Sequence, residues 1–160
     1  MDTQAALFKV EILDFSPQYR EEFKRLNAEW MHSTFGKYMD NHLENPEMTI
    51  LQNGGFILFA KVDNKIVGTC AVLKENNKLF EIADMAVTPL FRNRNIGKRL
   101  LSEVIERVKK ANARQIYLVT SSKLTASLEL FRTYGFREVA LDTETSIYEG
   151  SDIKMVLNLK

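Results

Sequence analysis

Seven consecutive residues, Arg92-Asn93-Arg94-Asn95-Ile96-Gly97-Lys98, place three cations and one glycine where a helix is about to begin. First-turn amides have no partner inside a helix and carry the positive end of its dipole, so such a turn can hold a phosphate or pyrophosphate. Gly97 lets backbone and ligand approach closely, and asparagine is among the few non-glycine residues that tolerate a left-handed conformation. The plainer alternative is a basic, solvated helix start, since short cationic motifs recur without function. A Walker A loop would need glycine at Arg92 and Ser or Thr at Arg99, and a dinucleotide fingerprint needs three glycines where this turn has one. Neither motif fits.

A second chemical feature precedes the turn. Glu81 interrupts the apolar run from Leu79 to Val87, as does Asp84. A carboxylate held in apolar surroundings has its pKa raised toward neutrality and becomes a candidate base. Strand alternation would set Glu81 on one side with Ala83, Met85 and Val87. The competing reading is an exposed strand glutamate paired with Lys65 or Lys74. Cys70 sits mid-strand with no histidine nearby in sequence and reads as a small core residue. His32 and His42, ten residues apart, match no metal spacing, so no metal is expected.

The elements that must position these residues follow from periodicity. Leu79 to Val87 suits a strand that Thr88-Pro89 stops; after Asn95, the apolar residues Ile96, Leu100, Leu101, Val104, Ile105 and Val108 recur at helical spacing. Ahead of this unit, Phe8 to Phe15 reads as a first strand. Ser16-Pro17 then opens a helix carrying Phe23, Leu26 and Trp30 and ending near Phe35-Gly36, and Tyr38 to Asn45 suggests a second short helix. Strands Phe56 to Val62, Lys65 to Lys74 and Leu79 to Val87 form an antiparallel meander whose turns, Asp63-Asn64 and Asn76-Asn77, tolerate positive φ. Gln115 to Thr120 must run parallel to Leu79 to Val87 because a helix crosses between them. Ser121 and Ser122 are placed to cap a helix Leu124 to Tyr134 that stops at Gly135, and Phe136 to Leu141 and Asp152 to Leu159 close the sheet. The expected fold class is α/β: a mixed, mostly antiparallel sheet of about seven strands with helices on both faces.

Composition narrows the function classes. The chain has 160 residues, of which 45% are hydrophobic and 27% charged, which suits one globular domain with a core of its own. With 22 basic and 21 acidic residues the net charge is +1, so no overall field favours nucleic acid or an anionic membrane. An RNA contact through the basic turn is further disfavoured by the lack of interleaved aromatics. No run approaches the roughly 20 apolar residues of a membrane span, the N-terminus lacks the pattern of a signal peptide, and one cysteine suits a reducing compartment. A cytoplasmic location is expected.

The run Val87-x-Pro89-x-x-Arg92-x-x-Asn95-x-Gly97, between a strand and an amphipathic helix, resembles the acetyl-CoA pyrophosphate loop of the Gcn5-related N-acetyltransferase (GNAT) superfamily. Asn95 stands where the family's first loop glycine is expected. A second block, Leu118 and Thr120 followed by Ala126, Leu128, Leu130, Phe131, Gly135 and Phe136, resembles the family's later strand, helix and "GF" segment, and the predicted order of elements is the order of that fold.

The resemblance implies a single acetyltransferase domain, 1–160, that transfers an acetyl group from acetyl-CoA to a primary amine of a small molecule or peptide. In the family the amine attacks the bound thioester directly. The cofactor would be held by Met85, Ala86 and Val87 along pantetheine, by Arg92, Asn93, Arg94, Asn95, Ile96, Gly97 and Lys98 at the pyrophosphate, and by Ser121 and Phe131. It implies Glu81 as general base. The usual thiolate-protonating tyrosine position is occupied by Phe131, which leaves Tyr134 as substitute. The family's first helices and their loop cover the acceptor, so Trp30, Phe35 and Tyr38 are expected around it, together with Tyr148 from the polar loop Asp142 to Ser151 between the closing strands. No nucleic-acid or membrane partner is implied, and a homodimer is compatible with the fold. The alternative function is a non-catalytic acyl-CoA-binding regulatory module, which the Asn95 and Phe131 departures keep open.

Overall fold

The computed structural model describes residues 9–35, 45–141 and 151–159, for 30–35 the backbone alone. Seven strands form one sheet in the order β1-β2-β3-β4-β5-β7-β6. They are β1 (Val10–Asp14), β2 (Phe56–Val62), β3 (Lys65–Asn76), β4 (Leu79–Val87), β5 (Gln115–Thr120), β6 (Arg137–Val139) and β7 (Ile153–Asn158). Among the described residues only β4 and β5 pair in parallel, and the helix between them, α2 (Ile96–Lys110), supplies the crossover. The fold class is the one the periodicity implies.

The two faces bury separate cores. On one, α2 packs Leu100, Leu101, Val104 and Val108 against Leu58, Cys70, Val72, Phe80 and Ile116, and α3 (Thr125–Thr133) adds Leu128 and Phe131. On the other, α1 (Arg20–Phe35) packs Phe23 and Leu26 against Ile57, Phe59, Ala71 and Ala86. Phe23 meets the Phe59 ring edge-on with centroids 6.5 Å apart.

Turn chemistry agrees with the sequence in part. Asp63 and Asn64 both take positive φ, 49° and 67°, as the first hairpin requires. The second hairpin uses another device: neither Asn76 nor Asn77 takes positive φ, and the Asn76 side chain instead accepts the Lys78 amide at 2.8 Å. Ser16 occupies its cap position without a side-chain capping bond. The cap of α3 falls on Leu124, because the Ser122 amide and hydroxyl are both engaged by Asp152, at 2.8 and 2.7 Å. Strand β3 runs on to Asn76, and β6 is shorter than expected. The predicted helix Tyr38 to Asn45 falls largely on residues 36–44, outside the described residues. A single π-type turn, Glu47–Leu51, which the sequence reading lacked, is tied to α1 by the Arg20–Glu47 ion pair.

Candidate functional site at the fork between β4 and β5

The parallel pair β4 and β5 is in register at only three positions: Leu79 with Gln115, Phe80 with Ile116, and Glu81 with Tyr117. Beyond that last pair the strands part. From there β4 pairs with β3 alone and β5 with β7 alone, so the edges at 82–87 and 118–120 face a cleft with ladder groups unused by the sheet. Exposed ladder groups attract an amide-bearing ligand that can lie between them like a strand.

A bulge next to the fork decides which side chains point where. Ala71 on β3 lies opposite Asp84, but its neighbour Val72 lies opposite Ile82, so Ala83 is an extra residue on β4. Alternation resets there. Phe80 and Ile82 before the bulge, and Met85 and Val87 after it, belong to the core under α2. Glu81 pairs with Leu73, which packs on the core under α1, and Asp84 pairs with Ala71 of that same core. Glu81 therefore shares its face with Asp84 and Ala86, not with Met85 and Val87. The expectation from simple alternation fails because one extra residue inverts the period.

Glu81 is 5% exposed and Asp84 9%. The sequence pairing of Glu81 with Lys65 or Lys74 is not the one found: its Oε1 accepts from the Tyr117 hydroxyl at 3.2 Å. The same hydroxyl lies 3.3 Å from Oε1 of Glu75, itself the extra residue of a second bulge, on β3. Burial first, and then the charges of Glu81 and Glu75, push the Tyr117 phenol well above its usual range, so it stays protonated. Lys154 from β7 sits with Nζ 5.0 Å from the Tyr117 ring centroid. Sequence reasoning gives no role to Tyr117, Glu75 or Lys154 and marks Asp84 only as a break in the apolar strand. Two of them carry a legible signal, since Asp84 breaks an apolar strand and Tyr117 interrupts QIYLVT with a polar tip. Glu75 and Lys154 read as ordinary solvated strand ends.

At the mouth of the cleft the chain makes a short 3-10 turn, Pro89–Phe91, and enters α2 through Asn95. Asn95 holds φ 66° and ψ 15°, and its side chain does not cap the helix. The residue that departs from the family loop thus adopts the left-handed backbone that glycine adopts most easily. Because Asn95 does not cap them, the first-turn amides after it keep their donor capacity. Ile96 is buried, and a Cβ added at Gly97 would stand 3.2 Å from Leu130 Cδ2 and 3.4 Å from Met85 Cε. The Asn93 side chain, Arg94 and Lys98 are exposed, and Arg94 lies over the Phe91 ring at 5.9 Å. Arg92 turns back, its Nε donating to the Val87 carbonyl at 3.1 Å. Arg99 reaches away to the Val10 carbonyl, at 3.2 Å.

The remaining expected residues separate. Ser121, 2% exposed, follows the free end of β5 and accepts the Lys123 amide at 3.2 Å. Phe131 is buried against Phe136, with ring centroids 5.5 Å apart. The Tyr134 hydroxyl bonds the Lys98 carbonyl at 3.1 Å and Ser102 Oγ at 2.9 Å, which fastens α3 to the first turns of α2. Tyr38 and Tyr148 lie outside the described residues, as do the side chains of Trp30 and Phe35. Cys70 is fully buried, and burial with the nearby Asp84 charge pushes its thiol well up, as suits an inert core residue. No group of three or more metal-ligating side chains occurs among the described residues.

Among the described residues, then, a seven-stranded mixed sheet has its one parallel pair forked beside a helix start that no side chain caps. The profile of the acetyltransferase (GNAT) family matches residues 8–136, and the chain belongs to that family. By class it is an acyl-CoA-dependent acyltransferase. The chain is 30% identical over 79 residues to the uncharacterized N-acetyltransferase YvbK of Bacillus subtilis, a match spanning 49% of this chain and only about half, 51%, of YvbK. It is 24% identical to the [ribosomal protein bS18]-alanine N-acetyltransferase of Escherichia coli K12, across 82% of this chain and 80% of that protein. Among solved structures, a GNAT-family acetyltransferase of Staphylococcus aureus Mu50 superposes with a TM-score of 0.84 at 28% identity, covering 95% of this chain and all of that one. The Salmonella typhimurium putative acetyltransferase yncA, solved with its cofactor acetyl-CoA, shares the fold at a TM-score of 0.79 and 17% identity, with 95% of each chain covered.

Proposed function

We propose that the protein transfers an acetyl group from acetyl-CoA to a primary amine, by direct attack of the amine on the thioester. The fork beyond the Glu81–Tyr117 pair, opening onto the first turn of α2, carries this reading. The free edges of Met85 to Val87 and of 118–120 suit the two amides of pantetheine, and the amides around Gly97 suit its pyrophosphate. Arg94 and Lys98 add charge at the same turn. A β4 amide turned toward the thioester carbonyl would stabilise the oxyanion as the amine adds.

An alkyl ammonium with pKa about 10 is roughly 99.9% charged at pH 7, so transfer needs a proton acceptor. Glu81 is the residue for that role: it is buried, sits at the base of the fork, and faces α1, the side on which the acceptor would enter. Asp84 on the same face adds negative charge that favours a cationic acceptor. Candidate acceptors are a small-molecule amine and a peptide amine; the likeness to a protein-alanine N-acetyltransferase makes a peptide amino terminus a natural probe. The reaction would proceed in the cytoplasm, on a chain that in the described residues has no helix long and apolar enough to cross a membrane.

The test begins with calorimetry of acetyl-CoA binding. The native chain should bind, and Gly97→Glu, which places a carboxylate against the pyrophosphate, should abolish binding while Gly97→Ala weakens it less. An amine screen read by free thiol follows. Glu81→Gln should then lower kcat by about 10²- to 10⁴-fold with acetyl-CoA affinity unchanged. A native chain that folds but does not bind acetyl-CoA would end this reading.

One observation favours a second reading, a regulatory module that binds acyl-CoA without turnover. The position expected to protonate the thiolate is the buried ring of Phe131, and the Tyr134 hydroxyl is engaged by Lys98 and Ser102. That reading predicts binding without thiol release for every amine tried.

A further inference from the structure

We propose that Glu75, Tyr117 and Glu81 form a relay that carries the proton taken up at Glu81 out to solvent, with Tyr117 and Glu75 acting as positioning residues. The inference rests on the reading of Glu81 as the base. Three strands contribute one group each. Tyr117 Oη on β5 stands 3.2 Å from Glu81 Oε1 on β4 and 3.3 Å from Glu75 Oε1 on β3. The groups are ordered by depth: Glu81 is buried, Tyr117 half-buried and Glu75 exposed.

A phenol holds one proton and two lone pairs, so it can accept from a carboxylic acid while donating to a carboxylate. Once Glu81 has taken the proton of the amine, its O–H bond breaks as a new one forms on Tyr117 Oη. The original phenolic proton passes at the same time to Glu75, which releases it to water. One proton enters and one leaves. Tyr117 ends as it began, and Glu81 is again a carboxylate ready for the next acceptor. Because the phenol resists ionisation, the hand-off is concerted and needs no tyrosinate.

Both bulges serve this arrangement. The extra residue Ala83 leaves Glu81 facing α1, and the extra residue on β3 is Glu75 itself. Among the described residues, the other charged groups that register sets on that face are Asp84 of β4 and Lys154 of β7, which lies over the Tyr117 ring, with Lys61 of β2, Glu11 of β1 and Arg137 of β6 further along the sheet. From the described part of α1, the buried residues are Phe23, Leu26 and Asn27, none of them charged.

The experiment is a pH titration of the glutamate carboxyl carbons by nuclear magnetic resonance, in the full chain without acceptor. Tyr117→Phe removes a donor to the ionised form of Glu81 and should raise its midpoint by about one pH unit. Glu75→Gln removes a like charge and should lower it. Displacements of opposite sign support the relay, because simple loosening of the site would hydrate Glu81 and lower its midpoint in both variants. A Glu81 midpoint that is unmoved, or moved the same way by both, overturns the relay even where Glu81→Gln abolishes acetyl transfer. Retention of transfer by Glu81→Gln would overturn the base reading, and the relay's part in turnover with it.

Discussion

The Nε of Arg92 donates to the Val87 carbonyl at 3.1 Å, so the last residue of β4 and the first cation of the helix-entry turn are held to each other. This bond closes the turn Thr88 to Phe91 and fixes the mouth of the cleft relative to its floor. An exposed hydrogen bond of this kind contributes about 0.5–1.5 kcal/mol. Arg92→Ala should therefore weaken acetyl-CoA binding by roughly two- to tenfold without changing the fold, as read by calorimetry and circular dichroism. Unchanged affinity would show that the turn keeps its shape without this contact.

Asn95 offers a backbone test. A left-handed conformation costs a non-glycine residue about 1–2 kcal/mol, and asparagine less than most. Asn95→Val should destabilise the chain by about 1–2 kcal/mol and weaken acetyl-CoA binding. Asn95→Gly should fall within about 1 kcal/mol of the native stability, since relief of φ 66° is offset by the added freedom of the unfolded chain. Thermal unfolding with and without acetyl-CoA measures both effects. Equal behaviour of Val and Gly at this position would contradict the role given to the backbone here.

Tyr134 distinguishes a helix fastener from a proton donor. Its hydroxyl meets the Lys98 carbonyl and Ser102 Oγ, so Tyr134→Phe should cost about 1 kcal/mol of stability. The maximal rate of thiol release should be unchanged. A fall in kcat of tenfold or more at unchanged acetyl-CoA affinity would return Tyr134 to the chemistry.

Acid stability follows from two ion pairs. The Arg107 hydrogen bond holds Asp14 below the usual carboxylate range, and the Arg20 hydrogen bond does the same for Glu47. A carboxyl whose folded pKa is depressed contributes stability that is complete above its unfolded pKa, about 4, and is lost as pH falls through its folded pKa. Asp14 is 65% exposed in its side chain, so solvent screening keeps this contribution small. Melting temperature measured from pH 6 down to pH 2 should fall less steeply in the Asp14→Asn, Glu47→Gln double variant than in the native chain. Parallel curves would show that neither pair is held in solution.

Much of this protein was legible before folding was considered. The 3.6-residue stripe from Ile96 to Val108 fixed α2, Asp63-Asn64 fixed a hairpin, and Pro89 with Asn95 and Gly97 marked a turn able to present amides to an anion. These are local matters, set by side-chain period and by which residues tolerate positive φ. The parallel relation of β4 and β5 followed as well, because a helix crossing leaves no other direction.

Pairing register lay beyond that reach, since it depends on how strands distant in sequence settle against one another. A single added residue, Ala83, reversed the alternation of β4, so Glu81 faces α1 while Met85 and Val87 face α2. Nothing in the apolar pattern of Leu79 to Val87 distinguishes a bulged strand from a regular one. The meeting of Glu75, Glu81 and Tyr117 joins residues up to 42 positions apart, and Asp152 withdraws Ser122 from its expected cap across 30. Residue types and local period determined which elements form and where an anion could dock. Strand register and bulges, settled by packing between distant segments, decided which carboxylates share a face and what hydroxyl stands between them.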